Sequence, residues 1–208
     1  MKKRNLTVSI GRQFGSGGRE IGKQLAKELG ISYYDKELLL VAAKESGLTP
    51  EIFEKADEQP HSLTCTLSMG FSPLGVCIPY DDVLSNERLF QLQSDAIRML
   101  SQRESCVIIG RCSDYVLRDS PCLLSVFIHD RTEKRIARIM ERLNTGAQEA
   151  KELMIKTDKS RAMYYNYFTD KQWGVASSYN FSADVSTMGA KGTVSILKKL
   201  VEQFLQSQ

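Results

Sequence analysis

The sequence predicts a single α/β domain in which a parallel sheet is covered by helices on both faces. Apolar strand-like runs and amphipathic helical runs alternate through most of the 208 residues, as they do in chains built from βαβ units. Two runs, 106–110 and 122–128, are almost entirely apolar, which is typical of strands that are buried on both faces. A glycine-dense loop at residues 11–18 joins the first strand-like run to the first helical run.

The composition favours a globular protein and excludes several other classes. Hydrophobic residues make up 42% of the chain and charged residues 25%, which argues against a largely disordered protein. No apolar run approaches the roughly 20 residues of a membrane span, and the N-terminus resembles no signal peptide, so we expect a cytoplasmic protein with no membrane partner. The five cysteines show no CxxC spacing, and His61 and His129 lie far apart, so we expect reduced thiols and no metal site.

The first half of the chain begins with a strand, the glycine loop and a helix. Residues 6–10 are rich in strand-forming residues, and Ile21, Leu25 and Leu29 share one helical face that Gly30 ends. The pattern then predicts a short strand at 31–34, helices at 35–46 and 50–57, and a long loop at 58–85, where periodicity is lost. Helical spacing returns at 86–103.

The second half alternates in the same way. The runs 106–110 and 122–128 predict strands, with a short helix through Tyr115 and Leu117 between them. A helix follows from Asp130 and a second one after residues 144–146, reaching about Tyr165. A last strand at 181–185 and a helix at about 190–205 complete the predicted order.

The helix that begins near Asp130 is strongly basic. Asp130 and Glu133 have the spacing of a capping box, and the predicted inward face consists of Ile136, Ile139, Met140 and Leu143. Its basic residues, interpreted as the solvent side of the helix, are Arg131, Lys134, Arg135, Arg138 and Arg142. Of these, Arg135 or Arg138 is the best candidate to reach a phosphate.

The glycine loop is typical of a phosphate-binding turn. A strand that ends in glycines and opens a helix gathers backbone N–H groups at the positive end of the helix dipole. The usual P-loop follows the pattern GxxxxGK[ST], in which the lysine contacts the outer phosphates and the hydroxyl binds Mg²⁺. This chain instead has GRQFGSGGRE at residues 11–20.

Two registers relate this loop to the usual P-loop. If Gly17 is the last loop glycine, Gly18 replaces the lysine and Arg12 replaces the first glycine. If Gly18 is the last glycine, Arg19 takes the lysine position and Glu20 follows. Both registers lack the Mg²⁺-binding hydroxyl, although Arg12, Arg19 or a later lysine could restore the charge. A plain strand-to-helix turn and a GxGxxG dinucleotide loop are the alternatives, the latter without its third glycine.

Four segments of the chain resemble the cytidylate kinase-like family of P-loop nucleoside monophosphate kinases. They read GRQFGSGGREIGKQLAKELG, YYDKELL, VIIGRCSDYVLRD and DKSRAMYYNYFTDKQWG, and together they span nearly the full length. The resemblance points to the branch of the family with a lysine-free phosphate loop.

This resemblance implies a three-layer P-loop kinase fold with a five-stranded parallel sheet flanked by helices. The core would comprise about 1–34, 104–143 and 174–208, with a substrate-binding insert at about 35–103 and a lid at about 144–173. It also implies transfer of the ATP γ-phosphoryl group to a nucleoside monophosphate or a related small acceptor. ATP and Mg²⁺ would be the cofactors, because phosphoryl transfer needs charge neutralisation.

The resemblance assigns roles to residues of the loop, the strand ends and the lid. Arg12 and the loop residues would hold the donor phosphates, and Arg19 would also act in catalysis; the loop set is Gly15, Ser16, Gly17, Gly18 and Arg19. Arg161 matches the lid arginine that approaches the transferring phosphoryl group, and Asp158 would orient the lid. Arg111 matches the arginine directed at the acceptor's phosphate, but the motif continues with Cys112 where the family has aspartate, and reaches one only at Asp114.

The strand end beside the loop offers further substrate-binding candidates, Tyr34 and Asp35. Either could contact a base or ribose, but packing explains Tyr33 and Tyr34 equally well. An aromatic patch, predicted to pack the lid on the core, consists of Tyr164, Tyr165, Tyr167, Phe168 and Trp173.

Two other functions remain open at this point. The missing lysine and hydroxyl also suit a non-catalytic nucleotide- or phosphate-binding protein on the same fold. A nucleic-acid or partner-binding module could use the basic helix and the aromatic patch, but a net charge of +3 argues against it. The sequence does not determine the acceptor or the oligomeric state.

Overall fold

The computed structural model describes residues 5–35 and 86–207. The helices predicted to run from residue 35 to 46 and from 50 to 57, and the loop predicted at 58–85, lie outside the described residues apart from Asp35. Within the described ranges, strands and helices follow one another in the predicted order.

In the described residues, five strands form one parallel sheet with the order β2-β3-β1-β4-β5, which confirms the predicted α/β class and the five-stranded sheet. They are β1 (Thr7–Arg12), β2 (Ser32–Tyr34), β3 (Cys106–Ile109), β4 (Leu123–His129) and β5 (Phe181–Asp184). β1 is central, because Ile10 lies opposite Ile109 of β3 on one side and Val126 of β4 on the other. The carboxyl ends of β1, β3 and β4 therefore lie side by side at one edge of the sheet.

Six helices and a short turn of 3₁₀-helix (Ala176–Ser178) accompany these strands in the described residues. The helices are α1 (Gly18–Leu29), α2 (Asn86–Arg103), α3 (Ser113–Val116), α4 (Thr132–Leu143), α5 (Ala147–Phe168) and α6 (Val185–Gln206). None of them, within the described part of the chain, has the length and apolarity that crossing a membrane would require.

The sheet is covered on both faces. On one face, side chains of α1 and α6 such as Leu25 and Leu197 pack against Ile10 and Val126. On the other, α2 and α3 pack against β3. Each large apolar side chain buried in this way stabilises the fold by about 2 kcal/mol relative to exposure. Burial on both faces explains why β3 and β4 are almost entirely apolar.

The helix α1 forms as its sequence predicts. Ile21 and Leu25 are buried on one face, and Gly30 ends the helix with a φ of 64°. The Gly30 backbone N–H donates to carbonyls of the last turn, the arrangement in which a left-handed glycine terminates a helix. The helix therefore ends at Gly30, and its N-terminus begins at the glycine loop.

The basic helix α4 departs from the prediction in two respects. The predicted capping box is wrong: α4 begins at Thr132, and Asp130 lies before the cap, where one carboxylate oxygen accepts from the backbone N–H of Arg131 (2.7 Å). The inward assignment of Leu143 is also wrong, because its side chain is 47% exposed. Leu143 lies in the last turn, directly before Asn144, where a left-handed φ of 51° redirects the chain.

The C-terminal helix begins earlier than the predicted residue 190. Asp184 caps it by accepting from the backbone N–H of Ser186 (2.8 Å). The backbone then leaves helical geometry at Gly189 (φ 68°, ψ 172°) before it resumes. The periodicity of the sequence showed only the longer segment after this interruption.

Members of the predicted aromatic patch pack against the core, although Tyr167 is 55% exposed. Phe168 stacks on Phe90 of α2 with 4.2 Å between ring centroids, and Trp173 contacts Phe127 edge to face at 5.2 Å. These contacts join the end of α5 and the segment after it to the core, as the packing interpretation predicts. Cys106, Cys112 and Cys122 are buried free thiols, and burial raises the pKa of Cys106 to about 11.

Candidate functional site

A cleft of about 1130 Å³ lies at the carboxyl ends of the strands. Open parallel sheets bind ligands at this edge. The glycine loop forms its floor, the turn after β3 forms one wall, and parts of α4 and α5 form the other. Most of the residues predicted for the site line this cleft; the exceptions are Gly18, which is buried at the start of α1, and Tyr34, which is described below.

The loop presents the N-terminus of α1 to the cleft. Gly15 and Gly17 have left-handed φ values of 77° and 81°, and Gly17 is the N-cap of α1, with no side chain capping it. The first-turn N–H groups of an uncapped helix can bind an anion. Ser16 is buried, and its hydroxyl donates to the Gln13 carbonyl (2.9 Å), so it stabilises the turn itself.

Gly15 is required by close packing beneath the loop. A Cβ at this position would lie 2.8 Å from the carbonyl oxygen of Arg135 and 3.0 Å from the side chain of Ile139. The loop therefore rests directly on α4, and only glycine allows this approach.

A buried ion pair clamps the loop from below. The backbone N–H of Phe14 donates to Asp158 of α5 (2.8 Å), and Arg135 of α4 donates to the Phe14 carbonyl (2.7 Å). Arg135 and Asp158 also pair directly with each other, and their side chains are only 6% and 18% exposed. Both backbone groups of Phe14 are thus held by charged side chains, which makes the loop rigid.

A second arginine of α4 extends this clamp. Arg138 donates to the Gly15 carbonyl (3.0 Å) and pairs with Asp130 at 2.5 Å. We refer to Arg135, Arg138, Asp158 and Asp130 as the loop clamp. The interpretation of the basic residues of α4 as its solvent side is wrong for Arg135, which is buried against the loop.

A group of arginines faces the cleft above the loop. Arg161 of α5 donates to the Arg12 carbonyl (3.1 Å). The guanidinium groups of Arg161 and Arg142 lie over the Phe14 ring, at 5.5 Å and 4.8 Å from its centroid. We call Arg12, Arg142 and Arg161 the cleft arginines.

Burial and neighbouring charges both act on Arg161. Burial, the largest cause, together with the charges of Arg12 and Arg142, lowers the pKa of Arg161 to about 9. The carboxylates of Asp158 and Asp35 oppose the shift. A cation placed beside other cations is destabilised until an anion arrives. The arrangement therefore suits a ligand with several negative charges, such as a di- or triphosphate.

Arg111 reaches the cleft from an unusual turn. Gly110, Arg111 and Cys112 all have left-handed backbone, with φ values of 68°, 59° and 52°. Two successive non-glycine residues in this region store strain of roughly 1–3 kcal/mol each, which is common at functional sites. The turn places Arg111 at the cleft wall, beyond the end of β3.

Asp114 lies deep in the same wall. Its carboxylate accepts from the Tyr165 hydroxyl (2.7 Å) and lies 3.7 Å from the ammonium of Lys171. Burial raises the pKa of Asp114 even though these partners lower it. The hydrogen bond between Tyr165 and Asp114 links α5 to the segment after β3. It therefore connects the wall that carries Arg111 with the helix that carries Arg161.

Of the remaining predicted residues, Arg19 and Asp35 lie in the cleft and Tyr34 lies outside it. Arg19 and Asp35 line the cleft and form an ion pair at 2.5 Å, with Arg19 47% and Asp35 5% exposed. Partial burial lowers the pKa of Arg19, but the charge of Asp35 and contacts with Tyr33 outweigh it, so the pKa is raised overall. Tyr34 is absent from the cleft lining: its side chain packs beside α2, and its hydroxyl donates to Glu104 (2.7 Å).

The sequence did not predict the structural roles of several site residues. The sequence singled out Asp158 and Arg135 but showed no link between them, because the two lie on different helices. Phe14 carried no signal, although its backbone is the point that the clamp holds. No cluster of three or more His, Cys, Asp or Glu side chains in the described ranges has the arrangement of a metal site.

Comparison with known proteins places this geometry in a family. The model of the cytidylate kinase-like family matches residues 7–187, which include the loop, the turn of Arg111 and the helix of Arg161. No curated protein has a significantly similar sequence.

Solved structures agree with the fold. An uncharacterized protein from Eubacterium ventriosum ATCC 27560 superimposes with a TM-score of 0.71 at 26% identity, covering 95% of this chain and 99% of that one. A shikimate kinase from Bacteroides thetaiotaomicron has a TM-score of 0.55 at 13% identity, with coverages of 95% and 98%. A gluconokinase from Sinorhizobium meliloti 1021 has a TM-score of 0.51 at 14% identity and covers both chains completely. The last two likenesses concern the fold alone.

Proposed function

This chain belongs to the cytidylate kinase-like family, and on that premise we propose that it is an ATP-dependent phosphotransferase. It moves the γ-phosphoryl group of ATP to a nucleoside monophosphate or a related small acceptor. The observation that carries the proposal is the pairing of an uncapped helix N-terminus at a rigid glycine loop with arginines that converge above it.

The donor phosphates bind at the loop. Backbone N–H groups of Gly15 to Arg19 hold the phosphate oxygens, and the dipole of α1 favours the negative charge. The loop clamp supports this role, because a cradle fixed before the ligand arrives loses little entropy on binding. Arg161, held over the loop by the Arg12 carbonyl, neutralises the charge that spreads over the transferring group.

The acceptor binds against the turn after β3. Arg111 is the residue for an acceptor phosphate, because a guanidinium binds phosphate through two parallel hydrogen bonds. An acceptor oxygen held there attacks the γ-phosphorus. The bond between that phosphorus and the bridging oxygen of ADP breaks as the new bond forms. Arg161 on the opposite wall would then contact the group in transit.

Mg²⁺ fits this site only as a partner of the nucleotide. In the register with Gly17 as last loop glycine, Arg19 stands where the Mg²⁺-binding hydroxyl is expected. Asp35, buried in the cleft wall beside Arg19, is an oxygen ligand close to that position. Mg²⁺ is commonly held by one or two carboxylates together with substrate phosphates, so Asp35 would hold the ion that arrives with ATP. Bound Mg²⁺ would supply charge neutralisation on the phosphates.

The test is a transfer assay with a broad acceptor panel. Purified protein is incubated with Mg-ATP and nucleoside monophosphates, shikimate or gluconate, and both ADP and the phosphorylated product are measured. We expect acceptor-dependent ADP formation that is lost in Arg111→Ala and Arg161→Ala. ATP binding without transfer to any acceptor would contradict the proposal.

A second candidate function is non-catalytic binding of a nucleotide or phosphate. Gly18 at the lysine position and Arg19 at the hydroxyl position favour it, because both side chains of the usual motif are missing. It predicts tight ATP binding in the same assay with no ADP formed. The two candidates therefore separate on product formation alone.

A further inference from the structure

The side chain of Arg12 runs between two glycines. A Cβ added at Gly18 would lie 2.7 Å from the Arg12 Cβ and 3.2 Å from its Cγ. A Cβ added at Gly110 would lie 2.1 Å from the Arg12 Nη1 and 3.2 Å from its Cζ. The stem of Arg12 thus crosses the start of α1, and its guanidinium lies against the turn that carries Arg111.

This packing excludes a lysine at position 18 while Arg12 is present. Cβ atoms do not approach other atoms within 3.0 Å, and the atom in the way is the Arg12 Cβ, which is fixed to the backbone. A flexible side-chain end could move aside, but this stem cannot. A P-loop lysine at position 18 is therefore sterically incompatible with the arginine at position 12.

Compared with the usual motif, the glycine and the cationic residue have exchanged positions. With Gly17 as last loop glycine, GxxxxGK has glycine at position 12 and lysine at position 18. This chain has arginine at position 12 and glycine at position 18. Because a Cβ at position 18 would clash with the Arg12 Cβ, only one of the two positions can carry a long side chain. The exchange of arginine and glycine keeps one long cation beside the loop.

The surroundings favour Arg12 over Arg19 as that cation. Arg19 lies 2.5 Å from the carboxylate of Asp35, which neutralises its charge at the side of the cleft. Arg12 lines the cleft between the loop and Arg111, where donor and acceptor phosphates would meet. Its charge is also felt by Arg161 across the cleft.

We propose that Arg12 replaces the P-loop lysine and contacts the outer phosphates of the donor nucleotide, with Gly18 and Gly110 providing the space for its side chain. The proposal rests on the proposed function, since it identifies the cation of the same phosphate site. It differs from a simple loss of the lysine, because the charge is kept and only its point of attachment changes.

The first variant is Arg12→Met, which keeps the stem that packs on Gly18 and removes the charge. We expect ATP affinity, measured by calorimetry, to weaken on the order of 10- to 100-fold, the value of a hydrogen bond to a charged group. AMP affinity changes less, because AMP lacks the outer phosphates. Lys27→Met, an exposed residue of α1 outside the cleft, is the matched control, with unchanged affinity. Equal ATP affinities of wild type and Arg12→Met would overturn the inference.

The second experiment restores the usual motif. The double variant Arg12→Gly with Gly18→Lys has GQFGSGK at residues 12–18, which matches GxxxxGK. We expect it to bind ATP more tightly than Arg12→Gly alone, whereas Gly18→Lys alone is less stable and binds more weakly than wild type. A folded double variant that binds no better than Arg12→Gly would contradict the exchange. If the double variant does not fold, the ATP affinities of wild type and Arg12→Met alone test whether Arg12 contacts the nucleotide.

ATP binding by the wild type tests the proposed function, whereas the difference between wild type and Arg12→Met tests the role of Arg12. If wild-type protein does not bind ATP, the proposed function fails. If wild type binds ATP and transfers phosphate, but Arg12→Met does so equally well, only the role of Arg12 fails.

Discussion

Arginines below and above the glycine loop serve different ends. Below the loop, Arg135 and Arg138 of the clamp each pair with a carboxylate and donate to a loop carbonyl. Above it, Arg161 donates to a carbonyl, lies over an aromatic ring and faces the charge of Arg12. The same residue type thus holds the loop where it pairs directly with a carboxylate, and faces the cleft where burial and neighbouring arginines lower the pKa of Arg161.

The largest expected effect concerns the cleft side of this comparison. Arg161→Met should lower the turnover of the transfer assay by about 10³-fold, the loss typical of an arginine that stabilises a transferring phosphoryl group. The free energy of unfolding should change little, because the lost hydrogen bond to the Arg12 carbonyl is offset by removal of a charge whose burial is unfavourable. Steady-state kinetics and urea denaturation check the two parts. Lys159→Met, exposed on the same helix, is the control, and a stability loss without a kinetic effect would reverse the assignment.

The clamp side should respond in the opposite way. Arg135→Met leaves Asp158 without its charged partner and the Phe14 carbonyl without its donor, so we expect the free energy of unfolding to fall by about 3 kcal/mol. Lys134→Met, exposed one position earlier, should have little effect in the same urea titration. If Arg135→Met is as stable as Lys134→Met, the buried pair does not hold the loop.

A smaller, pH-dependent effect should separate Asp114 from both groups of arginines. Burial raises its pKa in the folded protein, so folded protein binds more protons than unfolded protein between the unfolded and folded pKa values. The contribution of Asp114 to the stability of the wild type should therefore fall as pH rises above about 4, the ordinary range of a carboxyl. Asp114→Asn lacks this titration, so the difference in unfolding free energy between the two proteins shifts in favour of the variant as pH rises. A constant difference across that range would contradict the assignment.

The smallest effect is expected at Tyr34. Its hydroxyl donates to Glu104 away from the cleft, so Tyr34→Phe should leave ATP affinity and turnover unchanged. Asp35→Asn, one residue further along and lining the cleft, should change ATP affinity in the presence of Mg²⁺. Calorimetry on both variants checks the contrast, and a binding defect in Tyr34→Phe would place that residue at the site after all.

Much of the fold could be predicted from the sequence because it follows from local patterns. The two apolar runs at 106–110 and 122–128 required strands covered on both faces, and the periodicity of Ile21, Leu25 and Leu29 required a helix after the loop. The capping box at Asp130 was wrong for a reason that no local pattern contains. The Asp130 carboxylate instead pairs with Arg138, two turns further along the chain, and accepts from the backbone N–H of Arg131.

The candidate site could be predicted in its parts but not in its arrangement. The glycine loop, Arg111 and Arg161 were identified because each lies in a recognisable local segment. Arg135 was assigned to a solvent face by its charge, and only contact with Asp158 and Phe14 shows that it is buried.

The sequence by itself determined the α/β class, the order of the elements and the presence of a phosphate loop without its lysine, because backbone conformation and hydrophobic periodicity are local properties. Only the tertiary structure decided which arginines hold the loop and which face the cleft, because the role of each arginine depends on carboxylates brought close to it from distant elements. It also decided that Arg12 and Gly18 share one space. A sequence records two substitutions at positions 12 and 18, whereas their steric coupling exists only in the folded chain.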